Sequence, residues 1–207
     1  MIKAIIFDFD GVLTDNTDLI VKIYQEAAAL SHRPIPSRKQ VIAVLGRPGA
    51  EAVRRTIGRN PKFRETQIKI WQKYIKQEKL IPGIGSVFKK LKLKTAIVSS
   101  RSESGIDTLL GKFKKYFSVI ISPDDTAKHK PNPEPLLLAC KKLKIKPAEA
   151  VYVGDTLIDW QTAKKAGLPF IAMLSGAYTK NEFKKYKVKY FVKSLNDLPK
   201  TIERINL

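Results

Sequence analysis

Apolar positions along this chain follow two different periods. Ile2, Ala4, Ile5, Ile6 and Phe7 form a short, continuous run with a β-branched bias, which predicts a strand buried on both faces. From residue 16 the spacing lengthens to that of a helix. Leu19, Ile23, Ala27 and Leu30 trace one face of a first helix, stopped before Pro34 and Pro36. Ser37 with Gln40 forms a capping box that opens a second helix over Val41 to Leu45. Glu51 to Ile57 predicts a third, ended by Gly58, and Asn60-Pro61 introduces a long fourth with Phe63, Ile70, Trp71 and Tyr74. Residues 16–81 therefore read as an all-helical insert closed by Pro82-Gly83.

Short apolar runs then return at Lys94 to Ser99, Ser118 to Ser122, Ala150 to Gly154, Pro169 to Leu174 and Lys189 to Val192. Helical patterns separate most of them: Ile84 to Leu91, Ser104 to Phe113, Pro135 to Leu143 and Leu157 to Ala166. Strands alternating with helices predict an α/β fold, a Rossmann-like parallel sheet with helices on both faces. Residues 1–15 and 82–207 would form this core domain and residues 16–81 the insert. The polar stretch 175–188 carries no clear period.

Composition narrows the class. With 43% hydrophobic residues, the 207-residue chain can bury a sizeable core. No apolar stretch approaches the roughly 18 residues of a membrane span, and the start lacks a signal-peptide pattern. One cysteine, Cys140, excludes an internal disulfide, so a cytoplasmic protein is expected. The net charge of +20 could favour nucleic acid. The basic excess is spread, however: residues 15–80 hold 14 basic and 6 acidic side chains and the remainder 25 and 13. No nucleic-acid motif accompanies it, so that partner is not expected.

Carboxylates gather where such sheets bind ligands, outside the carboxyl ends of the strands. Asp8 and Asp10 lie two apart after the first strand, on one side of an extended chain, and Gly11 permits a sharp turn. Two like charges there repel unless a cation sits between them. Ser99 and Ser100 end the second strand, Lys130 follows the third, and Asp155 follows the fourth. Asp155 and Asp159, four apart at a helix start, can face the same edge, although Asp155 or Thr156 could simply cap the helix. Lys130 lies in Lys-His-Lys-Pro-Asn-Pro, whose prolines predict an extended loop.

These segments resemble, in order, the four motifs of the haloacid dehalogenase-like hydrolase superfamily. Asp8 to Asp15 matches its Asp-x-Asp-Gly-x-hydrophobic-Thr-Asp without a break. Ser99 stands at the second motif, with Ser100 and Arg101 where relatives often have Asn and Lys. Lys130 stands at the third, and Gly154-Asp155 with Asp159 at the fourth, where Trp160 and Gln161 are bulkier or more polar than usual.

The resemblance implies Mg²⁺ held by Asp8, Asp155 and the main-chain carbonyl of Asp10. It implies Asp8 as nucleophile, Asp10 as general acid and base, and Ser99 and Lys130 as phosphate-binding groups. Asp at position 10 points to phosphatases and phosphomutases. The helical insert resembles the family's small cap and implies a small phosphorylated metabolite, with phosphoglycolate phosphatase-like enzymes the nearest likeness. A sugar-phosphate mutase using the same residues is the alternative, and monomer and homodimer are both open. Arg47, between two insert helices, could reach the substrate's anionic tail, with a solvated arginine about as ready an explanation.

Overall fold

A computed structural model describes residues 1–207. Six strands, β1 (Ala4–Phe7), β2 (Lys94–Val98), β3 (Val119–Ile121), β4 (Ala150–Gly154), β5 (Phe170–Met173) and β6 (Tyr190–Val192), form one parallel sheet in the order β3-β2-β1-β4-β5-β6. After β1 the chain builds β2 and β3 on one side, then crosses to start β4 on the other. β1 and β4 therefore flank the point where strand order reverses, and a crevice opens there at their carboxyl ends. The register sets Phe7 beside both Ile97 and Val153, so the residues after Phe7, Val98 and Gly154 emerge together at one edge.

Strand alternation divides the interior. Ile5, Phe7, Val151 and Val153 point into one cluster, where the Phe7 ring meets Phe88 at 5.3 Å and Phe117 at 6.3 Å. Ala4, Ile6, Ala150 and Tyr152 point into the other, beneath Leu136, Cys140 and Ala163. Truncating a ring as fully buried as Phe7 to Ala costs on the order of 3–5 kcal/mol, so β1 is anchored against two cores before it reaches Asp8.

Between β1 and β2 the insert contributes α1 (Thr17–Leu30), α2 (Arg38–Ile42), α3 (Gly49–Ile57) and α4 (Pro61–Tyr74). These helices enclose a third apolar cluster that includes Ile20, Ile23, Tyr24, Val41, Phe63 and Ile70. The buried face of α1 runs through Ile20, Ile23, Tyr24 and Ala27, whereas Leu30 is exposed in the last turn, beyond the cluster's edge. The Ser37–Gln40 box forms, and α2 begins at Arg38, directly after the Ser37 cap and earlier than the apolar run at 41–45 suggests. Asn60 caps α4 by accepting from the Phe63 N–H at 2.9 Å, with Pro61 in the first turn.

The insert's two connections run side by side. Thr14 bridges to Leu80, and the Ile81 N–H donates to the Leu13 carbonyl at 2.9 Å. Beyond the insert lie α5 (Ile84–Lys90), α6 (Glu103–Leu110), α7 (Glu134–Leu143) and α8 (Leu157–Ala166). Trp160 stays half-buried on α8, where its ring tilts against Tyr186 at 5.2 Å, so its bulk is accommodated at the helix flank. The unassigned stretch 175–188 contains a five-residue helix, α9 (Lys180–Lys184), and α10 (Leu198–Asn206) ends the chain. No helix is long and apolar enough to cross a membrane.

Candidate active site

Asp8 leaves β1 with its own N–H bonded to the Val153 carbonyl at 2.8 Å, so the central strand pair fixes its backbone. Its side chain is buried. Oδ1 accepts from the Phe9 N–H at 2.8 Å and faces the Lys130 ammonium at 3.0 Å. Burial and the nearby Asp159 charge raise the Asp8 carboxyl from 3.8 to about 7, outweighing the lowering by Lys130.

Lys130 is only 2% exposed in a chain whose lysines are mostly solvated. The loop carrying it turns rather than running extended: the Lys130–Pro131 bond is cis, and the Asn132 N–H donates to the His129 carbonyl at 2.8 Å. Its ammonium donates to Asp159 at 2.8 Å and to the Tyr152 hydroxyl at 3.1 Å. Burial opposes the charge, but the Asp159 and Asp8 carboxylates hold the Lys130 pKa above its ordinary value.

Asp159 is fully saturated by neighbours. Oδ1 accepts from Lys130 and from Tyr152 at 2.9 Å, and Oδ2 accepts from the Thr156 N–H at 3.1 Å and hydroxyl at 2.5 Å. Thr156 caps α8 in return by accepting from the Asp159 N–H at 3.1 Å. Capping thus falls to Thr156 and leaves Asp155 free of that task.

Asp155 sits in a close cradle. A Cβ on Gly11 would stand 2.1 Å from its Oδ2, and one on Gly176 2.2 Å, so both positions need glycine for space. Gly11, at φ +75°, also needs it for conformation. The Ala177 N–H donates to Oδ2 at 2.8 Å, whereas Oδ1 is buried with no partner. Burial, then Asp159 and Asp8, push this carboxyl well above its ordinary value.

Carboxylate oxygens of Asp8, Asp155 and Asp159 lie within 4.8 Å of one another. An all-oxygen cluster with an unpartnered inner oxygen suits a hard divalent cation. Asp159 has spent its lone pairs on Lys130, Tyr152 and Thr156, so the free ligand oxygens belong to Asp8 and Asp155. Mg²⁺ fits this donor set.

The Asp10 side chain is not part of that cluster and lines the cavity beside it. It accepts from Arg101 Nη2 at 2.7 Å and from Asn16 Nδ2 at 2.7 Å. Ser99 Oγ accepts from the Arg101 N–H at 3.1 Å, which leaves its hydroxyl proton available. Ser100 Oγ donates to the Gly46 carbonyl at 2.6 Å, joining the β2 edge to the insert. A cavity of about 430 Å³ lies between sheet edge and insert, lined by Asp8, Asp10, Ser99 to Arg101 and Asp155 from below and by Arg47, Arg64 and Trp71 from above.

Arg47 is therefore not a solvated arginine. One Nη donates to Glu51 at 2.7 Å and its Nε is buried without a partner. Sequence reasoning missed Glu78, Asn16, Tyr152 and Gly176. Glu78 lies in Lys-Gln-Glu-Lys and looks like an ordinary surface acid. His32 and His129 join no metal-holding cluster, and Cys140 is a buried core residue.

The family model for haloacid dehalogenase-like hydrolases matches residues 5–173. The PpaX protein of Caldanaerobacter subterraneus, named for a pyrophosphatase activity, is 30% identical over 98% of this chain and 95% of its own length. The phosphoglycolate phosphatase of Salmonella typhimurium is 28% identical over 84% of this chain and 82% of its own. The crystal structure of CbbY from Rhodobacter sphaeroides in complex with phosphate superposes with a TM-score of 0.78 at 25% identity, covering 96% of each chain. The chain belongs to the haloacid dehalogenase-like hydrolase family, and it resembles members named as phosphatases.

Proposed function

We propose that this chain is a Mg²⁺-dependent phosphatase that hydrolyses a small phosphomonoester in the cytoplasm through an aspartyl-phosphate on Asp8. The observation that carries this reading is the buried Asp8–Lys130 pair at 3.0 Å beside the unpartnered Oδ1 of Asp155, at the switch point of the sheet. The phosphatase names of the relatives and the phosphate bound to CbbY support it.

The Phe9 N–H and the Lys130 ammonium both lie at Oδ1 of Asp8, which fixes the carboxylate for its attack on phosphorus. As that P–O bond forms, the bond to the leaving oxygen breaks. Asp10 gives this oxygen a proton, then takes one from the water that cleaves the aspartyl-phosphate. Lys130 and the Ser99 hydroxyl stabilise charge on the transferring group, and Asp159 keeps Lys130 in place. Mg²⁺, held by Asp8, Asp155 and the Asp10 main-chain carbonyl, would neutralise phosphoryl oxygens and reduce repulsion between the two anions. Residues 16–81 act as a cap that excludes water, with Arg47 taking the far, anionic end of the substrate.

The test is phosphate release from an aryl phosphate and from a panel of small phosphomonoesters, with Mg²⁺ and with excess chelator. Release that needs the cation is expected. Full activity in chelator would remove the metal assignment, and no release from any phosphomonoester would remove the function.

A further inference from the structure

We infer that Arg101 is a positioning residue that ties the orientation of the Asp10 carboxylate to the closed arrangement of the helical insert. The inference rests on the proposed role of Asp10 as the acid that protonates the leaving group. The Arg101 guanidinium is forked between two carboxylates. Nε and Nη2 donate to Asp10 at 3.1 and 2.7 Å, and Nη1 and Nη2 donate to Glu78 at 2.9 and 2.7 Å. Glu78 lies on the connection returning from the insert. Asn16, on the outgoing connection, closes the ring by donating from Nδ2 to Asp10 at 2.7 Å and to Glu78 at 2.9 Å.

The network thus takes one residue from the loop after β1, one from the loop after β2 and one from each connection of the insert. It is also covered from both sides. The Phe9 ring of the core lies 5.5 Å from the guanidinium carbon and the Trp71 ring of α4 4.9 Å from it. The side chains of Arg101 and Glu78 are 6% and 1% exposed. Charge-assisted, forked bonds in such a shielded place are strong and directional, so Asp10 cannot rotate without breaking them. Moving Trp71 and the return connection away with the insert would uncover Arg101 and shift Glu78. Asp10 is therefore held in its working direction when the insert lies over the cavity and is released when it lifts. Lysine at 101 would supply one point charge and could not reproduce the fork.

The discriminating quantity is the ratio of kcat/KM for an alkyl phosphate, whose leaving group needs a proton, to kcat/KM for p-nitrophenyl phosphate, whose leaving group needs little. We expect Arg101→Lys and Glu78→Gln each to lower this ratio by about tenfold or more, in the direction of Asp10→Asn. Glu78 touches neither Asp8 nor the metal-holding oxygens, so its effect must pass through Arg101 or Asn16. An arginine that only binds substrate or only supports the fold would lower both rates together and leave the ratio unchanged. Should Arg101→Lys fail to fold, Glu78→Gln carries the test alone. An unchanged ratio in Glu78→Gln, with Asp10→Asn shifting it, overturns the inference and leaves the phosphatase reading standing. An unchanged ratio in Asp10→Asn overturns the acid role on which both depend.

Discussion

Asp155 illustrates how much a single carboxylate depends on what its neighbours lack. Gly11 and Gly176 reach it from different loops, and a methyl group on either would overlap its Oδ2. Gly176 is the cleaner position to probe, because the clash there is steric alone. Gly176→Ala should raise the Mg²⁺ concentration for half-maximal activity by about tenfold or more, the scale seen when groups that orient a metal ligand are altered. Calorimetric titration with Mg²⁺ checks this, and unchanged affinity would mean that Asp155 does not need its present position to bind the ion. The principal carboxylates and Lys130 are legible in the sequence because each sits in a local pattern, Asp8 and Asp155 at strand ends and Lys130 in its proline-flanked loop. Gly176, Glu78 and Tyr152 are not, since each acquires its role only when a residue more than five positions away folds against it.

At the level of elements, local chemistry marks boundaries better than apolar periodicity does. The Ser37–Gln40 box and the Asn60-Pro61 cap start α2 and α4, whereas the apolar run alone places α2 too late. The same signal stands at Thr179 and Glu182, whose reciprocal bonds open α9, but α9 buries only Phe183 and lysines hide its pattern. α10 has legible spacing, with Leu198 and Ile202 buried and Ile205 packed beside them, behind a Ser194–Asp197 box. The insert's elements bear directly on substrate choice. Arg47, in the loop just before α3, spends part of its charge on Glu51, which it shares with Arg55. Arg47→Ala should lower kcat/KM for a phosphomonoester with a second anionic group by roughly tenfold or more, about 1.4 kcal/mol, and leave an aryl phosphate lacking that second charge nearly unaffected. Equal losses on both would assign Arg47 to closure of the insert instead.

Across the whole molecule, charge is distributed unevenly between surface and site. A chain of net charge +20 carries buried carboxylates at the mouth of its central strand, countered within the site by Lys130. On the proposed function, such a basic exterior would draw an anionic substrate inward while the site concentrates negative charge for a cation. This has a thermodynamic signature. The Asp8 carboxyl is raised from 3.8 to about 7 and Asp155 is raised well above its ordinary value. Between about pH 4 and 7 the folded chain therefore binds more protons at Asp8 than the unfolded chain. That contribution to stability is fully present below the unfolded value and is lost as pH rises through the folded one. On the proposed Mg²⁺ dependence the cation replaces the proton, so the rise in Tm on adding Mg²⁺ should be larger at about pH 7.5 than at about pH 5. Equal increments at both would show that cation and proton do not compete for this cluster.

The central claim, that Asp8 becomes covalently phosphorylated, is tested most directly by acid-quenching the enzyme during turnover of a labelled phosphomonoester and locating the label by peptide mass spectrometry. Label is expected on the peptide carrying Asp8 and none in Asp8→Asn; with p-nitrophenyl phosphate, whose leaving group needs little protonation, more label is expected in Asp10→Asn, where hydrolysis of the intermediate is slowed by roughly 10²- to 10⁴-fold. An Asp8→Asn protein that turns over at the wild-type rate, or label carried by another residue, would contradict it.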